Sequence, residues 1–130
     1  MRLILFIAIL SVVFIQCNIA KTDEKIEFLE SFYELYIDEI SQKNMDIEKL
    51  DSLKIHYCSQ KFLDNIKNID YNPFIDAQDF YEPNLRRFRI EEGSDSLSYE
   101  MKYPITDVLE KVIFIRLIQI NGRYFINEIR

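Results

Sequence analysis

Apolar residues recur along this chain with two different periods, and the change from one to the other divides it. Ile26, Leu29, Phe32, Tyr33, Tyr36, Ile37 and Ile40 return every three or four positions, which places them on one side of a helix. The pattern predicts a single amphipathic helix of about 20 residues, with Thr22 or Asp23 placed to cap it. Its other face carries Glu27, Glu30, Glu34 and Asp38. Acids four apart on a helix repel one another weakly. The stripe reads first as a solvated face and second as a dock for a basic partner. Asn44-Met45-Asp46 breaks the helix. Asp46 can cap a second one that buries Ile47, Leu50, Leu53 and Tyr57, and Ser59 can cap a short third one carrying Phe62, Leu63 and Ile66.

Further along, the period falls to two. Phe88 and Ile90 alternate with Arg87, Arg89 and Glu91, and Glu92-Gly93-Ser94-Asp95 turns the chain. Leu97, Tyr99, Met101 and Tyr103 then alternate with Ser96, Ser98, Glu100 and Lys102 until Pro104 stops the strand. Val112 to Ile120 is a nearly continuous apolar run, Asn121-Gly122 is a strong hairpin signal, and Arg123 to Arg130 returns. A two-residue turn would set Ile118 opposite Phe125, Arg116 opposite Asn127 and Phe114 opposite Ile129, with Phe114 in the core alongside Leu29. Both faces of this hairpin are more apolar than a half-exposed one needs. It is therefore either covered on both sides or meets a second copy through its outer face, as a homodimer. The expected class is α+β, with N-terminal helices, one of them long, on a curved antiparallel sheet of about four strands.

The stretch from Asp70 to Asp79 joins the two regimes. It combines Asp70, Asp76 and Asp79 with Tyr71, Phe74, the Asn72-Pro73 turn and Gln78. Asp70, Tyr71, Asn72, Asp76, Gln78 and Asp79 are the binding candidates. The plainer reading is that Asp and Asn cap turns here while Tyr71 and Phe74 plug the core. A catalytic reading would draw acids and bases from Asp70, Asp76, Asp79 and Tyr36. Arg116 and Asn127 would then join Tyr36 around a pocket as oxyanion or carboxylate partners. The sequence offers no His-Asp pairing at a recognisable spacing, no serine-nucleophile motif and no phosphate-binding glycine loop. No cofactor and no metal are expected. Asp70-x-Asn72 begins like a calcium loop, but Phe74 occupies a ligand position and the glycine is missing. His56 stands without a second ligand at metal spacing and reads as a surface or packed residue.

The first residues bear on compartment. Met1-Arg2 precedes an apolar run from Leu3 to Ile15, too short to span a bilayer comfortably and the size of a signal-peptide core. Phe14-Ile15-Gln16-Cys17 is similar to a lipoprotein cleavage site, although Gln16 stands where a small residue is usual. Residues 1–16 are read as a signal peptide, Cys17 as the lipidated residue, 17–22 as a tether and 23–130 as one domain. Signal peptidase I cleavage after Ala20, or a retained anchor helix, are the alternatives. The expected location is exported, periplasmic or lipid-anchored in the cell envelope, with membrane contact only through the anchor. Loss of Arg2 makes the remainder one unit more negative than the chain's −6, which argues against a nucleic-acid partner. Cys58 would then be alone, and a lone Cys is more often buried than nucleophilic.

With these pieces placed, the chain resembles the exported NTF2-like (cystatin-like) domains of the DUF3828 type found in Gram-negative bacteria. The resemblance rests on Phe28-x-x-x-Phe32-Tyr33-x-x-Tyr36, Tyr57-Cys58-Ser59, the stretch Asp70 to Asp79, and Tyr124-Phe125-Ile126-Asn127-Glu128-Ile129. Asn72 stands where Asp is expected. The resemblance implies a cone, with the long helix in the concavity of a bent sheet and a pocket at the open end, and supplies no reaction. The expected function is a non-enzymatic envelope domain that docks or neutralises a protein partner, as an immunity protein does a toxin, or holds a small ligand. The alternative is a small periplasmic enzyme using pocket carboxylates.

Overall fold

The computed structural model describes residues 22–78 and 82–130. Residues 1–16, read from the sequence as a signal peptide, lie outside the described residues, as do Cys17 and Asp79. Three helices come first, each begun by the side chain the sequence offers. Asp23 accepts the Lys25 N–H at 2.9 Å and opens α1 (Glu24–Ile40). Asp46 accepts the Lys49 N–H at 3.1 Å for α2 (Ile47–Tyr57), and the Ser59 hydroxyl accepts the Phe62 N–H at 3.1 Å for α3 (Gln60–Ile66). Each bond satisfies a donor that a helix start leaves without an internal partner. A short helix, α4 (Glu82–Leu85), follows the 70–78 stretch, where the sequence predicted strand alone. Its Leu85 is fully buried, so the turn serves to deliver one core residue.

Four strands complete the chain: β1 (Arg89–Glu92), β2 (Ser98–Pro104), β3 (Glu110–Ile120) and β4 (Arg123–Ile129). They pair in chain order, all antiparallel, in a sheet that is not closed into a barrel. Helices packed on this sheet make the protein an α+β fold. Asn121 and Gly122 both take positive φ, 51° and 78°, the geometry that lets a two-residue turn follow the strand twist.

The register the turn sets does not persist. Ile118 faces Phe125 as expected, but the pairing slips by one residue between Arg116 and Leu117. Arg116 therefore faces Glu128 rather than Asn127, and Ile129 faces Ile115 rather than Phe114. The extra residue is Asn127, and its displacement has a cause outside the hairpin. The joint between α2 and α3 docks on β4: the Ser59 N–H donates to the Ile126 carbonyl at 2.8 Å, and the Ser59 hydroxyl donates to Asn127 Oδ1 at 2.8 Å. A bulge there turns the Asn127 side chain towards the helix joint.

The sheet's inner face carries Ile113, Ile115, Leu117, Ile126, Tyr99 and Met101, all buried beneath Leu29, Phe32, Tyr33 and Ile37 of α1. Each such side chain removed from water contributes about 1.5–3 kcal/mol before the entropy of ordering it is counted. The outer face is different. Phe114, expected in the core, is 52% exposed there, and Ile120 and the half-buried Ile118 and Phe125 lie further along the same face. Around them, Arg89 pairs with Glu91 and Glu110, Lys102 with Glu91 and Glu100, Arg116 with Asp95, and Arg130 with Glu128. Arg123 lies over the Phe125 ring.

Candidate functional site

The 70–78 stretch is first of all a corner. Asn72 Oδ1 accepts the Phe74 N–H at 3.1 Å, and the Asn72 and Ala77 backbones bridge one another. That turn drives Phe74 into an aromatic cluster with Phe32, Tyr36 and Phe62, ring centres 4.9–5.8 Å apart. Ile75 is equally buried. The two carbonyls that burial would strand are answered by tyrosines: Tyr33 donates to the Phe74 carbonyl at 3.0 Å and Tyr103 to the Ile75 carbonyl at 2.7 Å. Unpaired, each such group would cost about 1–3 kcal/mol.

The acids and amides predicted to bind are divided by this packing. Asp70 and Gln78 are exposed. Asp76, at φ 47°, pairs with Lys111 Nζ at 2.7 Å across the surface. Tyr71 is 47% exposed, so of the two aromatics only Phe74 is a core plug. The pocket candidates do not converge. Tyr36 is buried under the corner, Arg116 lies on the sheet's outer face bonded to Asp95 and Ser98, and Asn127 is held by Ser59. The α1 acids stand on the open face of the helix, with Asp38 paired to Arg86 at 2.6 Å.

What the structure does build beside the corner is a groove of about 830 Å³, between the C-terminal end of α1, the helices α2 and α3, and residues 69–74. Tyr36, Leu50 and Phe74 reach it from the core. Met45, Ile47, Ile55, Ile69 and Tyr71 stand along it, 37–65% exposed. Ile47 was expected on the buried side of α2. It lies instead four and eight residues before Asp51 and Ile55, in a ridge along the groove. The signal for this ridge was Ile55, an isoleucine off the Leu50–Leu53–Tyr57 stripe. The polar groups at the groove largely satisfy one another: Lys54 pairs with Asp51 at 3.2 Å and Gln60 donates to Asp64 at 3.0 Å.

Titration is pushed away from neutrality wherever it is perturbed. Burial raises the Cys58 thiol to about 12, leaving it protonated and a poor nucleophile. Burial also raises the Tyr33, Tyr36, Tyr99 and Tyr103 phenols. The Glu39 carboxyl, buried between α1 and α2, is held low by Lys49 at 2.6 Å and by the Asp46 N–H at 2.9 Å. His56 is exposed, edge-on to Tyr57. Among the described residues, no group of three or more His, Cys, Asp or Glu side chains could hold a metal ion, and no helix is long and apolar enough to cross a membrane.

No protein-family model matches the chain, and no curated protein matches it. A crystal structure at 2.10 Å resolution of a protein of unknown function from Bacteroides thetaiotaomicron is similar in fold. The TM-score is 0.69 at 25% identity, over 82% of this chain and 88% of that one. The likeness is one of architecture and brings no activity with it.

Proposed function

We propose that the chain is a non-enzymatic binding domain of the cell envelope, NTF2-like in kind, whose groove receives an apolar segment of a protein partner. The observation that carries this reading is the rim of the groove. Met45, Ile47, Ile55, Ile69 and Tyr71 stand half in water around a floor that is already dry. A small molecule on that floor would leave the rim wet, whereas a protein segment laid along the groove covers rim and floor together. The charged groups lining the groove balance, Asp51 and Asp64 against Lys54 and Lys67, which favours an uncharged contact surface on the partner. The perturbed groups support binding over catalysis, since each is shifted away from the range where a general acid or base works at neutral pH. The envelope location rests on the apolar run Leu3 to Ile15 and on Cys17.

The test is photocrosslinking in cells with benzoylphenylalanine in place of Ile55 or, as a control, of the exposed Val108. A discrete protein adduct is expected from position 55 alone, and Ile47→Glu in the same chain should abolish it. Equal adducts from both positions, or an adduct indifferent to Ile47→Glu, would overturn the reading. A non-protein mass recovered on the native chain and lost with Ile47→Glu would replace the segment by a small ligand.

A further inference from the structure

We infer that the outer face of β3 and β4 is where a second copy of this chain binds. β2 turns Ser98, Glu100 and Lys102 outward, as a wet sheet face should, whereas β3 turns out Val112, Phe114, Ile118 and Ile120 with Arg116 alone among them. Among the described residues nothing closes over this face, and Phe114 and Ile120 stay about half exposed. Two further observations point to a copy of the same chain.

The first is charge. The five cations and five carboxylates that ring the outer face balance, so the chain's whole −6 resides elsewhere, much of it along the helices. Two copies repel when they approach by their helical sides and do not when they approach by their sheets. A basic protein partner would be steered the other way, to the helices.

The second is shape. Phe114 forms one wall of a hollow of about 290 Å³ that Ser98, Glu100, Arg116, Glu128 and Arg130 also line, and its ring is half exposed at the rim. A two-fold axis through this face lets the Phe114 of each copy enter the hollow of the other, a knob and a hole on one self-complementary patch. Gly93 helps keep the hollow's wall in place. A Cβ there would lie 2.7 Å from the Ser98 carbonyl oxygen, so the loop folds flat against β2.

Sedimentation of the full chain in mild detergent tests the pairing. The wild type should be a dimer. Phe114→Glu should weaken it by about thirtyfold or more, as loss of a central aromatic anchor does, while retaining its far-ultraviolet circular dichroism. Ile120→Lys, at a second exposed position, should act the same way should the first variant fold poorly. Ile55→Glu in the groove should leave the dimer intact, which separates this surface from the one proposed for the protein segment. A wild type that stays monomeric at all concentrations overturns the inference. So does a dimer that survives both sheet-face substitutions.

Discussion

Both faces of β3 carry large apolar residues, and these meet opposite fates. Ile113, Ile115 and Leu117 are sealed under α1, while Phe114, between two of them, is half in solvent. Hydrophobicity alone therefore does not locate the core of this protein. Alternation says which side chains share a face, and only the packing of the helices says which face is closed. The outer face, left open and charge-balanced, becomes available for association, whereas the inner one is committed to stability.

The sharpest way to break this comparison is to truncate both faces. Ile115→Ala should cost about 2–5 kcal/mol in urea unfolding, the range for a fully buried aliphatic side chain. Phe114→Ala should cost below about 1 kcal/mol when measured on monomer, since its ring leaves little cavity behind. Equal costs would mean that the outer face is closed after all.

A smaller effect is expected at the joint that sets the register. Ser59→Ala removes a helix cap and the partner of Asn127 together, and should cost about 1–2 kcal/mol. It should also raise amide exchange at residues 126–128 more than at 123–125, because the bulge loses its anchor while the turn does not. Uniform exchange along β4 would show that the bulge is intrinsic to the strand.

The smallest difference should appear in acid. The Glu39 carboxyl titrates below its ordinary 4.5 because of Lys49 and the Asp46 N–H. Its contribution is complete above that value and is lost as pH falls through the lower folded-state one. Glu110, on the outer face, is also held low, by Arg89, but its pair is open to solvent and salt. Stability measured against pH should therefore lose more of its acid dependence in Glu39→Gln than in Glu110→Gln, and 0.5 M salt should widen the gap.

The elements were legible where local chemistry decides them. Asp23, Asp46 and Ser59 announce three helix starts, and Asn121-Gly122 announces a turn that only residues tolerant of positive φ can make. What was not legible depends on contacts distant in sequence. The Asn127 bulge exists because a helix joint almost 70 positions away docks there, and a register counted from the turn cannot contain it. The exposure of Phe114 and Ile47 is hidden for a related reason, since period does not choose between faces. At the corner, the acids drew attention that belonged to Phe74 and Ile75. Asp76 makes a surface pair with Lys111, while the two apolar residues fix the turn from within.

The tyrosine clasp on that corner has a spectroscopic consequence. The chain has no tryptophan and eight tyrosines, so its near-ultraviolet absorption is largely a phenol signal. Burial keeps the Tyr33 and Tyr103 phenols protonated beyond the usual alkaline range while their hydroxyls hold the Phe74 and Ile75 carbonyls. Their favourable contribution is whole below pH 10 and fades as alkali rises past it. The red shift of phenolate formation by the buried tyrosines, Tyr33 and Tyr103 at the corner with Tyr36 and Tyr99 elsewhere in the core, would thus accompany loss of the packing that keeps them protonated. The molecule carries an optical report on the packing of its own core, readable without a dye or a label.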